Sequence, residues 1–175
     1  MNTGKFLDIV AGIPTQIHAL LHSTGAPDAG KIIKLDETGR ISQTVLPVGI
    51  AADTESALAS ESLTSNDLVQ IWDDGGTAKV RRAEATALNK FLAVGFVKDN
   101  FTSGQTALVY FDGRMTGMSG LTISAPYYLS ETPGQATATA PVTASAVVQG
   151  IGYAVSSTTL SFEKFIPVHL APVEP

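Results

Sequence analysis

Short runs of alternating apolar and polar residues follow one another from residue 48 onward, and Gly, Pro, Asn and Asp separate them. A period of two residues places alternate side chains on opposite faces of a β-strand. Residues 67–73 and 77–83 are predicted to pair as a hairpin, because Gly75 and Gly76 between them can adopt the positive φ that a tight turn needs.

Residues 91–98 and 105–111 predict a second hairpin, joined across residues 100–104. Five further short strands are predicted in the second half of the chain, at residues 126–130, 137–139, 146–149, 152–155 and 159–162. Short strands separated by Gly and Pro are typical of a sandwich or a barrel. The predicted fold class is therefore all-β, with a β-sandwich or barrel body over residues 49–175.

Residues 1–48 predict an extended N-terminal arm, because Pro14, Pro27 and Pro47 interrupt any long element. One short helix is expected in the arm, with Thr15 as its N-cap. Its apolar side chains follow a helical spacing at Ile17, Leu20 and Leu21. Two isolated helical turns do not persist in water, so this helix is expected to dock on another surface.

The second half of the arm has a different pattern. Residues 31–35 predict a short strand, residues 36–39 predict a turn, and residues 41–46 predict a brief segment that Pro47 ends. The arm is therefore expected to hold little regular structure of its own.

Two stretches of the body, residues 63–111 and 121–162, have similar orders of strands and turns. Matching positions are separated by 57 to 59 residues, as in Leu63 and Leu121, Gly75 and Gly134, and Gly95 and Gly152. One interpretation is a body made of two similar hairpin-rich units packed around one core. The other is chance similarity between β-hairpins.

Charged residues make up only 15% of the 175 residues, compared with about 25% in a typical soluble domain. The net charge is −5 and the largest basic cluster is the pair Arg81–Arg82, so a nucleic-acid partner is not expected. No window approaches the roughly 18 consecutive apolar residues of a membrane-spanning helix, and no signal peptide is recognised. The absence of cysteine excludes disulfides and thiolate metal sites.

The low charge is concentrated in one part of the chain, because Glu131 is the only charged residue between Met115 and Ser161. A neutral surface suits strands that pack against symmetry copies, where a charged side chain would lose its hydration. The other interpretation is an all-β domain whose faces are polar and uncharged.

Candidate chemical groups are few, and each has a plain structural alternative. His18 and His22 lie four residues apart on the predicted helix, a spacing that can bind one metal ion, or they are exposed polar positions. His169 has no evident partner. Asp73 and Asp74 form a carboxylate pair, but Asp at a hairpin turn also accepts local backbone hydrogen bonds. No cofactor or metal is therefore expected, and the protein is not expected to be an enzyme.

Two parts of the sequence resemble a known family. Residues 29–50, AGKIIKLDETGRISQTVLPVGI, resemble a segment of structural proteins of tailed bacteriophages. Residues 120–141 and 147–163 are similar to the C-terminal β module of phage capsid decoration and head-fibre proteins, through their Leu-Thr, Tyr-Tyr-Leu-Ser, Pro-Gly and Gly-Tyr-Ala elements. The resemblance covers about residues 29–170.

The resemblance implies a non-enzymatic virion structural protein, a capsid decoration (cement) protein made in the bacterial host cytoplasm. It implies a homotrimer that binds the major capsid protein on the outer capsid surface and stabilises the head. The arm is then expected to anchor on the capsid or to interlock the trimer through its apolar side chains. These candidate contact residues are Ile32, Ile33, Leu35, Ile41, Val45 and Leu46.

The alternative function is a receptor-binding or carbohydrate-binding module of a tail or head fibre, with a host-surface glycan as its partner. Trp72, Tyr110 and Tyr128 supply the aromatic side chains that such a site would use. Aromatic residues in strands are also common as core or cross-strand partners, so both interpretations stand at this point.

Overall fold

Strands account for almost all regular structure in a computed structural model that describes residues 5–37, 39–42, 45–46, 52–86 and 89–171. The all-β fold class is confirmed, and a 3-10 helix at Ala26–Asp28 accompanies the strands. The strands are β1 Lys5–Val10, β2 Ile13–His18, β3 Thr54–Ala59, β4 Leu68–Asp74, β5 Thr77–Arg82, β6 Gly95–Val97, β7 Thr106–Tyr110, β8 Gly113–Thr116, β9 Pro126–Leu129, β10 Ala136–Thr137, β11 Val147–Val148, β12 Gly150–Ser156, β13 Thr159–Phe162 and β14 Val168–His169.

The chain divides into two compact units, residues 1–51 and residues 52–175. We call them the N-terminal unit and the body unit. The predicted stop at Pro47 and the predicted boundary at residue 48 lie outside the described residues.

The N-terminal unit begins with an antiparallel hairpin, in which β1 pairs with β2 from Lys5 opposite His18 to Val10 opposite Ile13. The helix predicted to start at Thr15 is wrong. The Thr15 hydroxyl donates to the Ile13 carbonyl oxygen at 3.1 Å rather than capping a helix. Ala11 and Gly12 both have positive φ, which makes the tight turn that brings β2 back along β1.

The predicted strand at residues 31–35 is also wrong, because only an isolated parallel bridge joins Ile33 to Leu20. Position 38 of the turn predicted at residues 36–39 lies outside the described residues. The bonds of a turn are seen on either side of it: Gly39 N donates to Asp36 O at 3.1 Å, and Arg40 N donates to Asp36 Oδ1 at 2.9 Å. In the segment predicted at residues 41–46, positions 43 and 44 lie outside the described residues.

A closed five-stranded barrel forms the first half of the body unit, in the order β3-β5-β4-β6-β7. The hairpin predicted through Gly75 and Gly76 is confirmed: β4 pairs with β5, and both glycines have positive φ. The second predicted hairpin is confirmed in β6 and β7, but residues 91–94 lie before the strand. The barrel closes through β3, which was not predicted and pairs with β5 in parallel and with β7 antiparallel.

An open five-stranded sheet follows in the order β10-β9-β12-β13-β8, with every pair antiparallel. Four of the predicted strands lie in this sheet as β9, β10, β12 and β13. The strand predicted at residues 146–149 is β11, which instead pairs with β14 in a separate two-stranded sheet. Neither β8 nor β14 was predicted.

The two five-stranded sheets share one strand order when strands β5, β4, β6, β7 and β3 are matched with β10, β9, β12, β13 and β8. The barrel runs β5-β4-β6-β7-β3, and the open sheet runs β10-β9-β12-β13-β8. Asn66 and Ser124, 58 residues apart, both have positive φ, at 69° and 65°. Asn66 N donates to Val97 O at 2.8 Å, and Ser124 N donates to Ala154 O at 2.9 Å.

The body unit has two clusters of buried apolar side chains. Small residues, mostly Ala and Val, fill the barrel. The second cluster joins barrel residues such as Leu68 and Phe96 to residues of the open sheet such as Met115, Leu129 and Phe162. The barrel and the open sheet therefore share a core.

Gly95 and Gly152 lie where two backbones approach closely. A Cβ on Gly95 would lie 2.4 Å from Tyr110 O, and a Cβ on Gly152 would lie 1.9 Å from Ser161 O. Both obstacles are main-chain atoms in the paired strand, which cannot move away as a flexible side chain can. The two positions therefore require glycine.

We expect Gly95→Ala to lower the free energy of unfolding of the protein by about 2 to 3 kcal/mol, because the added methyl group overpacks the barrel. Gly150→Ala is the control, since its Cβ would meet only the exposed and movable Phe165 ring, at 3.1 Å. Its cost should stay below about 0.5 kcal/mol. Urea unfolding followed by Trp72 fluorescence measures the free energy of unfolding of both variants. Equal losses of stability in the two variants would contradict the explanation by close backbone approach.

Candidate assembly interface

The described side chains of residues 5–9, 11–37, 39–42 and 45–46 are all exposed or half-buried, whereas the buried residues of the body unit extend from Ala57 to Phe162. An isolated two-stranded hairpin is marginally stable in water, and ordering a chain segment costs conformational entropy. The part of the N-terminal unit that the structure describes therefore presents apolar surface and shows no buried core.

The exposed apolar side chains of this unit form two groups along the sequence. The first group lies on the hairpin, on Leu7, Ile9 and Ile13, which are between 66% and 72% exposed. Sequence reasoning missed this group, and the only alternation that could have indicated it is short: Leu7 and Ile9 on either side of the polar Asp8. The second group comes from residues 32–41 and belongs to the predicted contact residues.

The six predicted contact residues separate into two sets. Ile33, Val45 and Leu46 come together with Leu20 around a groove of about 320 Å³. Ile32, Leu35 and Ile41 do not line this groove and are 52%, 55% and 50% exposed. The structure thus leaves the second set free to contact another surface.

A polar turn borders the groove and orders the loop at residues 24–31. Asp28 Oδ2 accepts hydrogen bonds from Thr24 N at 2.6 Å and from Thr24 Oγ1 at 2.8 Å. Asp28 Oδ1 accepts from Lys31 Nζ at 2.6 Å. The bond from Lys31, followed by those from Thr24, lowers the pKa of Asp28 from 3.8 to about 2.

The candidate chemical groups do not form a site. His22 Nδ1 lies 3.0 Å from Ser42 Oγ, and the His169 ring contacts Phe91 edge-on at 4.9 Å. Asp73 Oδ1 accepts from Gly76 N at 2.7 Å, which is the turn role that the sequence offered as the alternative. Within the described residues, no three His, Asp or Glu side chains are grouped as metal ligands.

The three aromatic residues proposed for a sugar platform lie on three different strands, β4, β7 and β9. The Arg81 guanidinium lies 4.4 Å from the centre of the Trp72 ring, and the Trp72 indole N–H donates to Ser60 Oγ at 3.3 Å. Tyr110 stacks on Phe96 at 5.7 Å, with Lys98 Nζ 3.9 Å from its ring centre. The Trp72 and Tyr110 rings are therefore engaged by their own neighbours.

Two acidic groups of the body have shifted pKa values with structural causes. Burial raises the pKa of Asp67, whose carboxylate accepts from Thr64 N at 2.8 Å. Burial also acts on Glu61, but hydrogen bonds from Arg82 outweigh it and lower the pKa of Glu61. Hydrogen bonds from neighbouring groups hold both carboxylates in place, which indicates a structural role.

No protein-family model matches the sequence, and no curated protein matches it. Among solved structures, the chain is similar to the head fiber gp8.5 N base of bacteriophage phi29. The similarity covers 71% of this chain and 100% of the other, at 14% sequence identity and a TM-score of 0.41. The described residues contain no helix long and apolar enough to cross a membrane.

We expect the Asp28 carboxyl to titrate with a midpoint near pH 2, measured by NMR on the intact protein. Because its folded pKa lies below the ordinary 3.8, the ionised form stabilises the turn above about pH 4, and this contribution is lost as the pH falls through about 2. Lys31→Ala should move the midpoint up toward the ordinary value. Lys34→Ala, the matched control, should leave it in place, and an unchanged midpoint in Lys31→Ala would contradict the assigned cause.

Proposed function

We propose that this chain is a structural protein of a phage virion, a capsid decoration protein without catalytic activity. In this proposal it binds the major capsid protein on the outer surface of the head as a homotrimer and stabilises the head. The observation that carries the proposal is the exposure of apolar side chains in the described part of the N-terminal unit, where no described side chain is buried. The body unit, in contrast, has its own core. The sequence resemblance to phage decoration and head-fibre proteins supports the same function.

The exposed apolar surface is large enough to drive association. Burying one aliphatic side chain contributes roughly 1.5 to 3 kcal/mol. Ile32, Leu35 and Ile41 are about half exposed, and the hairpin adds Leu7, Ile9 and Ile13. The free energy gained by burying these side chains has to exceed the free-energy cost of ordering the unit and of bringing two molecules together. Three linked copies then add avidity, because the second and third contacts form within one complex.

The distribution of charge supports a role in an assembly. The second half of the body is almost neutral, so packing it against a symmetry copy desolvates few charges. Most of the acidic excess lies in the first half of the body, where it favours a solvent-facing position on the virion. The chain is made in the host cytoplasm in this proposal and functions at the capsid surface.

The test is a pelleting assay with heads of the encoding phage assembled without this protein. We expect a variant with Ile32, Leu35 and Ile41 all changed to Ser to bind at least tenfold more weakly, because it removes apolar surface that only a partner covers. Its unfolding midpoint should stay unchanged, since none of the three is buried.

The control changes two exposed apolar residues of the body, Ile123 and Val142, to Ser. This variant should pellet with heads as the unmodified protein does. Analytical ultracentrifugation gives the oligomer mass, expected at three times the chain mass. Undiminished pelleting of the triple variant, or a monomer at concentrations that saturate the heads, would overturn the proposed mode of attachment.

A further inference from the structure

The body unit contains one turn twice, with a different side chain at its last position. Residues 64–67 lead into β4, and residues 122–125 lead into β9. Asp67 N donates to Thr64 O at 2.9 Å, and Ala125 N donates to Thr122 O at 3.1 Å. The two turns therefore share a main-chain arrangement, in which the Asp67 carboxylate corresponds to the Ala125 methyl group.

This arrangement does not require a carboxylate. In the first turn, Thr64 N donates to Asp67 Oδ2 at 2.8 Å. In the second turn, Thr122 N donates to the Tyr127 hydroxyl oxygen at 3.0 Å. A neutral oxygen thus satisfies the same main-chain donor, so the turn alone does not explain the charge of Asp67.

The surroundings of Asp67 differ from those of Ala125, because Asp67 lies where the barrel meets the β9–β10 turn, residues 130–135. Three main-chain hydrogen bonds connect the barrel with this turn, and we call them the joint. They run from Leu68 N to Gly134 O at 2.8 Å, from Gly134 N to Ala83 O at 2.8 Å, and from Ala85 N to Ser130 O at 2.9 Å.

The Asp67 carboxylate packs directly on the main chain of the joint. A Cβ on Gly134 would lie 2.6 Å from Asp67 Oδ1 and 3.1 Å from Arg82 Cδ. Asp67 is only 4% exposed. A carboxylate in such a place loses most of its hydration, which disfavours the charged form.

The charged groups around Asp67 only partly compensate for this loss. Arg82 of β5 attracts the carboxylate, but Glu61, between β3 and β4, repels it. Arg82 is also shared with Glu61, since its N donates to Glu61 Oε1 at 2.7 Å and its Nη2 donates to Glu61 Oε2 at 3.4 Å. On the other elements beside Asp67, Lys98 after β6 and Glu131 in the β9–β10 turn are exposed. Burial is the largest influence and raises the pKa of Asp67 above 3.8.

We propose that Asp67 makes the joint sensitive to protons: the ionised carboxylate destabilises the contact of the β9–β10 turn with the barrel, and protonation stabilises it. Protonation removes the buried charge and leaves an oxygen that can still accept from Thr64 N. The proposal concerns the folded body alone and does not depend on the assembly role proposed above.

The direction of the pH dependence follows from the raised pKa of Asp67. Because the folded protein holds this proton up to a higher pH than the unfolded chain, the joint is least stable above the folded pKa. It gains stability as the pH falls through the folded pKa, and the gain is complete below about 3.8. Asp28, whose pKa is lowered, acts in the opposite direction.

Amide hydrogen exchange of the full-length protein and of Asp67→Asn tests the proposal. Asn is neutral at every pH and keeps an oxygen that can accept from Thr64 N. The Gly134 and Ala85 amides donate within the joint and are distant in sequence from residue 67, so the substitution leaves their intrinsic exchange rates unchanged. At pH 7 both amides should exchange at least about threefold more slowly in the variant, and at pH 3.5 the two proteins should exchange alike.

Three controls accompany this measurement. The Ala154 amide, which donates to Ala125 O beside the matching turn, should exchange at the same rate in both proteins. Asp99→Asn, which removes an exposed carboxylate, should leave the exchange of both joint amides unchanged. NMR of the unmodified protein should show the Asp67 carboxyl titrating above 3.8.

Three results would overturn the proposal. If Asp67→Asn changed the exchange of the joint amides by the same factor at pH 7 and pH 3.5, the substitution would act through packing rather than charge. If the Ala154 amide slowed as much as those of Gly134 and Ala85, the effect would be on the stability of the whole body unit. An Asp67 carboxyl that titrated at or below 3.8 would remove the buried charge from the explanation.

Discussion

The packing of the open sheet against the barrel through one shared core is the constraint on which the body unit depends. The Phe96 ring lies 5.5 Å from Phe162 of the open sheet and 5.7 Å from Tyr110 of the barrel. No disulfide can hold the two sheets together, because the chain has no cysteine. Within each sheet, the backbones of paired strands approach closely at Gly95 and Gly152. Fully buried Gln149 adds a polar link, with its side-chain amide bonded to both Ala93 N and Ala93 O at 2.9 Å.

The parts of the fold that the sequence predicts are local, and the parts that it misses depend on distant contacts. The β4–β5 hairpin follows from two strands and the Gly75–Gly76 turn, all within 15 residues. The parallel pairing of β3 with β5 leaves no local signal, because it joins segments that are separated by the whole of β4. The error in the N-terminal unit has a similar cause. Ile17, Leu20 and Leu21 fit a helical spacing, but Ile13, Thr15 and Ile17 are β-branched residues at the two-residue spacing of a strand, and pairing with β1 decides between the two structures.

The candidate interface, like the fold, could be predicted from the sequence only where the signal is local. Sequence reasoning identified the apolar character of residues 32–46, and the structure separates those that line a local groove from those that remain exposed. It missed Leu7, Ile9 and the open edge between β8 and β10, because an edge is defined only when the partners of every strand are known. Glycines at matching positions of the two stretches also have different roles. Gly75 lies in an open turn, whereas a Cβ on Gly134 would lie 2.6 Å from Asp67 Oδ1. Repetition in sequence therefore predicts strand order better than it predicts packing.

The closed barrel and the open sheet differ both in strand pairing and in charge. The closed barrel satisfies its strand edges internally, so its surface can carry charged residues such as Lys79, Asp73 and Asp74 without cost to pairing. The open sheet leaves β8 and β10 unclosed, and a charge beside such an edge would have to be desolvated when a partner strand arrives. Charged residues at an edge are a common protection against association. The open sheet has such a charge at one edge only, because β8 contains the exposed Arg114 whereas β10 contains no charged residue.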